Sequence, residues 1–125
     1  MSEGASIKEL LIEILTELNR SAGVNASAVV SRDGLLMSSV MPEDIDAEAF
    51  AAMTATMLGA AETAFSELKK GVAERVIVEG THAKIIAMGA GPKALIVVLT
   101  DPDAPLGLAL LKISDASRKI AKLLE

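Results

Sequence analysis

Four serines, a single histidine and one glycine-rich loop are the places where this chain could do chemistry. Ser27, Ser31, Ser38 and Ser39 would act as nucleophiles only beside a base that takes the hydroxyl proton, and no histidine or lysine stands at a recognisable spacing from them. His82 follows Gly80-Thr81 and reads as a solvated turn residue. One histidine and no cysteine exclude a multi-histidine or thiolate metal site, disulfides and thiol catalysis. Gly89-Ala90-Gly91-Pro92-Lys93 has the glycines of a phosphate cradle but not the P-loop spacing. It joins two strand-like runs, so no helix N-terminus points at an anion there, and it reads as a plain hairpin loop. No catalytic residue, cofactor site or metal-ligand set is assigned, and the chain is expected not to be an enzyme.

The bulk composition narrows the field further. The 125 residues fit one domain, expected over 6–125 after a short polar tail over 1–5. Half the residues are apolar (51%), with a mean hydropathy of +0.46, high for so small a soluble domain. A domain of this size has much surface, so part of that apolar content is expected under a partner. The net charge of -5 and the lack of a basic arm argue against nucleic acid. No apolar run approaches the roughly 20 residues that span a bilayer, and the N-terminus lacks a basic leader. The expectation is a cytoplasmic protein with no membrane insertion.

The periodicities divide the chain into eight elements. Ile7, Leu10, Leu11, Ile14, Leu15 and Leu18 form one helical stripe within Ala5 to Arg20, which ends at Gly23. Ala26–Arg32 and Leu35–Val40 flank Asp33-Gly34, a pair suited to a tight primed turn with positive φ angles. Asp46 to Lys70 reads as a second helix, acidic at its start, basic at its end and closed by Gly71. Three strand-like runs follow, Val72–Glu79, Ala83–Met88 and Ala94–Thr100. The last is apolar without alternation and is expected at the sheet centre. Asp101-Pro102-Asp103-Ala104-Pro105 opens a third helix with an acidic cap, and Gly107 within it is expected to be a close helix–sheet contact. The order is αββαβββα.

In that order, three segments resemble the roadblock family of dynein-associated and GTPase-regulating light chains. They are Gly23 to Leu36 in the first hairpin, Ala51 to Leu58 in the Ala- and Met-rich second helix, and Leu99-Thr100-Asp101 running on to Leu106-Gly107. The resemblance implies an α+β, profilin-like, five-stranded antiparallel sheet with the second helix on one face and the first and third on the other. It also implies a homodimer and a role with a small Ras-like GTPase, as scaffold or activator, and carries no catalytic residue set. With no Tyr or Trp and only Phe50 and Phe65, a partner face here must rely on Met, Leu and small residues.

The residues themselves point to where such a face lies. From Ala49 to Ala61 the second helix has no charge. Phe50, Met53, Met57, Phe65 and Leu68 gather on one side and are expected against the sheet. Ala52, Ala55, Thr56, Gly59 and Thr63 form a small face suited to another backbone. Glycine in a helix interior costs about 1 kcal/mol, which close packing at Gly59 would explain, although an alanine-rich face can also simply be solvated. The third run is the natural edge strand. A two-fold axis at Ile77 would set Arg75 of one chain opposite Glu79 of the other, while the same charges could equally serve to block pairing.

These readings favour an adaptor or regulator that binds a Ras-like GTPase. The alternatives are a structural light chain that tethers a complex without affecting GTP turnover, and a small-ligand sensor, for which few buried polar groups are at hand. An activator would either supply an arginine from Arg20, Arg32, Arg75 or Arg118, or position the GTPase's own residues. None of the four lies on a mobile glycine-rich loop, so positioning is preferred.

Overall fold

An apolar run without alternation must be covered on both faces, so it belongs at the centre of a sheet. The computed structural model, which describes residues 4–125, places it there; Met1, Ser2 and Glu3 of the expected tail lie outside the described residues. The elements are α1 (Ile7–Leu18), β1 (Val24–Ser31), β2 (Leu36–Val40), α2 (Ala47–Glu67), β3 (Arg75–Glu79), β4 (Lys84–Gly89), β5 (Ala94–Thr100) and α3 (Leu106–Leu123). The five strands form one antiparallel sheet in the order β2-β1-β5-β4-β3. Ile96 and Val98 of β5 join Leu11, Leu15, Ile113 and Ile120 in a core under α1 and α3. Leu95 and Val97 point the other way and pack with Ala51 and Leu58 of α2. The expected profilin-like α+β architecture, one helix on one face and two on the other, is the observed one.

Local chemistry explains most of the boundaries. Ser6 caps α1, its hydroxyl accepting from the Glu9 amide at 3.1 Å while its own amide donates to the Glu9 carboxylate at 2.9 Å. Hydrogen bonding to the Glu9 carboxylate, from the Ser6 amide first and the Ser6 hydroxyl second, holds that carboxyl below its ordinary value. Asn19, capping the other end, accepts from the buried Ser27 hydroxyl at 2.6 Å and donates to the Val40 carbonyl at 3.0 Å. Asp46 caps α2 as its acidic start predicts.

Four expectations are corrected. Asp33 does not take positive φ, so the first hairpin is not closed by a primed two-residue turn. The Ser31 carbonyl instead accepts from the Gly34 amide at 2.9 Å, and Gly34 alone is left-handed. α2 stops at Glu67 because Lys69 turns left-handed (φ 55) while the Lys70 amide closes back on the Phe65 carbonyl at 3.0 Å; Gly71 lies beyond the cap, as does the basic pair expected to end the helix. α3 begins after Pro105 with no side-chain cap, and Asp101 instead accepts from Asn25 Nδ2 at 2.8 Å. Gly107 is exposed, with no atom within 4 Å of where a Cβ would stand, so it makes no helix–sheet contact.

Gly23, by contrast, does carry a close contact. It is left-handed (φ 82), its carbonyl accepts from the Asp101 amide at 2.8 Å, and a Cβ there would fall 2.5 Å from Ala104 Cβ. Gly23→Ala should therefore destabilise the fold by about 2–4 kcal/mol, combining left-handed strain with overpacking, as chemical denaturation would register. Lys69→Gly should act in the opposite direction. It removes the Cβ from a left-handed cap and should stabilise by up to about 1 kcal/mol, a rise of a few degrees in melting temperature.

Candidate functional site

α2 crosses the face formed by β1, β5, β4 and their neighbours, and the question is which of its sides meets the sheet. Ala51, Thr54 and Leu58 are the buried ones, with Phe50 and Ala55 half-buried beside them. Thr54 is tolerated in that core because its hydroxyl donates to the Phe50 carbonyl at 2.7 Å. The helix is thus rotated about its axis from the orientation that its bulky side chains predict. Of that stripe only Phe50 and Met57 are partly covered. Met53 is 61% exposed, Phe65 40% and Leu68 66%, which overturns the expectation that they bury against their own sheet.

The predicted small face divides. The Asp33-Gly34 turn of the same chain abuts its first part, a Cβ at Gly34 falling 3.6 Å from Ala52 Cα and 3.7 Å from Ala55 Cβ. Ala52, Thr56 and Thr63 are exposed, and Gly59 is half-buried with no atom within 4 Å of a built Cβ. Among the described residues nothing packs closely enough to require a glycine at that position.

β3 is an edge strand, as expected, paired only with β4. Ile77 lies opposite Ile86 in the α1/α3 core, so Arg75 and Glu79 also lie on that side of the sheet, opposite to α2. The two predicted groups, the small face of α2 and the triplet Arg75, Ile77 and Glu79, are therefore on opposite faces of the sheet. The α2 side of β3 is formed by Val76 and Val78, the latter 40% exposed. With Met53 and Phe65 of α2, Leu68 at its C-cap and the 78% exposed Val72 of the α2–β3 connection, Val78 makes a set of exposed apolar side chains along these elements. Sequence reading missed Val76 and Val78, although the alternation in Arg75-Val76-Ile77-Val78-Glu79 contains them. The other edge differs: β2 has an extra residue at Met37, since Val29 pairs with Ser38 and Val30 with Leu36, and this bulge interrupts its pairing geometry.

The remaining candidates resolve as structural. Ser31 Oγ accepts from the Leu35 amide at 3.0 Å, and Ser38 is buried with no protein partner for its hydroxyl. His82 is exposed in the β3–β4 turn beside Thr81. The Gly89–Lys93 loop is a hairpin in which a Cβ at Gly91 would fall 2.9 Å from Ala121 Cβ of α3. Arg20 pairs with Glu17, Arg118 with Asp115, and Arg32 with Glu62, while Arg75 lies 4.0 Å from Glu74. Among the described residues no group of His, Cys, Asp or Glu could hold a metal ion, and no helix is long and apolar enough to cross a membrane.

Comparison with known proteins agrees with this architecture. A protein of Methanocaldococcus jannaschii is 39% identical over 114 residues, 91% of this chain and 96% of that one. The gliding protein MglB of Thermus thermophilus superposes with a TM-score of 0.86 at 23% identity, over 95% of this chain and 91% of its own. Profilin II of Acanthamoeba castellanii does so at 0.62 and 15% identity, over 94% and 98%; at such identities these two likenesses speak for the fold alone. Residues 10–100 match the family model of the Roadblock/LC7 domain, and the chain belongs to that family.

Proposed function

We propose that this chain works as a homodimer that binds a small Ras-like GTPase and modulates its activity or location, using the outer side of α2 and the β3 edge as dimer or partner surface. The observation that carries the reading is the uncovered apolar side of α2 and β3, in a helix uncharged from Ala49 to Ala61. Exposed large apolar groups grouped on adjoining elements mark a contact surface in a soluble domain. Membership of the family, with the role that the resemblance implies, supplies the class of partner. Ala52, Thr56, Gly59 and Thr63 would let a second helix approach, Val76 and Val78 would extend the apolar contact, and Arg75, Ile77 and Glu79 would pair across a two-fold axis on the far side of the sheet.

The pairing of the arginines favours positioning over an inserted arginine. Three of the four guanidinium groups are held by carboxylates within 2.9 Å, and Arg75 lies along an edge strand. A regulator of this kind orders the GTPase's own catalytic residues and contributes no charge to the transition state.

Light scattering should give twice the 12.9 kDa chain mass. Within one chain an arginine at position 59 has room, so Gly59→Arg should yield a folded monomer. Gly59→Ala separates the alternatives by sign: on a solvated face it stabilises by up to about 1 kcal/mol, on a packed dimer face it weakens association. A Gly59→Arg variant that stays dimeric would place the interface elsewhere. In a GTP-turnover assay with a Ras-like GTPase from the same cells, the chain should bind the GTPase, and by itself should show no saturable GTP binding. Arg20→Ala, Arg75→Ala and Arg118→Ala should each alter turnover by less than about threefold, where loss of an inserted arginine would remove on the order of a thousandfold. Binding with turnover unchanged by the wild-type chain would indicate the structural light chain instead.

A further inference from the structure

Arg32 is bonded differently from its fellow arginines Arg20 and Arg118, which make exposed pairs three residues away on their own helices or helix ends. It stands just past the end of β1, and its two terminal nitrogens reach two other elements. Nη1 donates to Glu62 Oε2 of α2 at 2.9 Å, and Nη2 donates to the Gly91 carbonyl in the β4–β5 hairpin at 2.8 Å. Gly89 pairs with Leu95, whose side chain faces α2, so a Cβ at Gly89 would project to the same face; it would fall 2.9 Å from Arg32 Nη2. The guanidinium therefore lies over a strand position that has no side chain.

Glu62 is also the first charge in α2 after Glu48, and it marks a change in the helix. Up to Glu62 the helix has buried or half-buried residues at helical spacing; from Thr63 to Leu68 every residue is exposed, including Phe65 and Leu68. We propose that Arg32 is a positioning residue, a three-way clamp that holds α2 at Glu62 and thereby sets the placement of its overhanging end, Thr63–Leu68, as a contact surface. The proposal rests on the reading of α2 as the homodimer face, the occupant of that surface being a second copy of this chain. A planar fork with two charge-assisted bonds in fixed directions orients a helix, where a lysine would hold only a point contact.

The test compares Arg32→Met, Arg32→Lys and Gly89→Ala in the full chain. Gly89→Ala changes no charge. Its backbone φ lies outside the left-handed region, and the atom in its way is the end of a flexible side chain, so it displaces the guanidinium selectively. Hydrogen exchange at residues 63–68, the dimer dissociation constant by sedimentation, and global unfolding are measured together. Arg32→Met and Gly89→Ala should each speed exchange at 63–68 by about tenfold and raise the dissociation constant by about tenfold, with exchange at Ile96 to Val98 changed much less. Arg32→Lys should fall between these and wild type. Exchange at 63–68 that is unchanged, or that rises only in step with the whole molecule, overturns the clamp. Local exchange that rises while the dissociation constant does not would leave α2 loosened without consequence, overturning the interface reading and its link to the clamp.

Discussion

One α-helix cannot cover a five-stranded sheet. Five strands at about 4.8 Å spacing span roughly 20 Å, and helices pack about 8–10 Å apart, so two helices match the width and one covers about half of it. β5 is buried on both faces, so both need a cover, and the chain divides three helices between them unequally. α1 and α3 close their side with a continuous core of Leu11, Leu15, Ile113 and Ile120. α2 alone closes the other. Part of the shortfall is met by the first hairpin, whose Gly34 turn abuts Ala52 and Ala55. Toward β3 the cover is incomplete: Val76 is half-buried in the α2-side core, and Val78 is 40% exposed. The candidate surface is a geometric remainder of that division, which is why its residues are apolar though exposed.

The two faces are connected at the ends of the strands. Gly23 and Gly91 each bring a loop against α3 where a methyl group would collide, Gly23 with Ala104 before the helix and Gly91 with Ala121 near its end. Gly91 also gives its carbonyl to Arg32, which holds Glu62 of α2. One hairpin thus meets α3 directly and is joined to α2 through Arg32. The polar groups in these places are satisfied by one another: Ser27 with Asn19, Asn25 with Asp101, Asn19 with the last carbonyl of β2. Buried hydroxyls and loop carboxylates that look available for chemistry in the sequence are mostly occupied in joining elements.

Much of this was legible from residue order. The helical stripe of α1, the unalternating β5 and the charged edge strand β3 were assigned from periodicity and place in the chain, and the structure agrees because those patterns arise from burial on one face, two faces or an edge. Three of the errors have a common cause. The primed turn at Asp33-Gly34, the Gly71 cap and the packing assigned to Gly107 each inferred a specific contact from a residue that only permits one. Glycine tolerates left-handed backbone and close approach, but the neighbours decide whether either occurs, and they settled on Gly34 alone, Lys69 and Gly23.

By itself the sequence determined the element order, the central strand, the edge strand and an α2 without charge, since each depends on spacing along the chain. The tertiary structure alone decided which side of α2 meets the sheet. Large and small side chains on a helix specify a stripe, but the sheet below it accepts whatever fits the existing relief. Here, with Val30, Leu95 and Val97 rising from the strands, Ala51, Thr54 and Leu58 fit closely and Met53 is turned outward. Packing density rewards that complementarity over mere size, and no one-dimensional pattern records the shape of the surface a helix will land on.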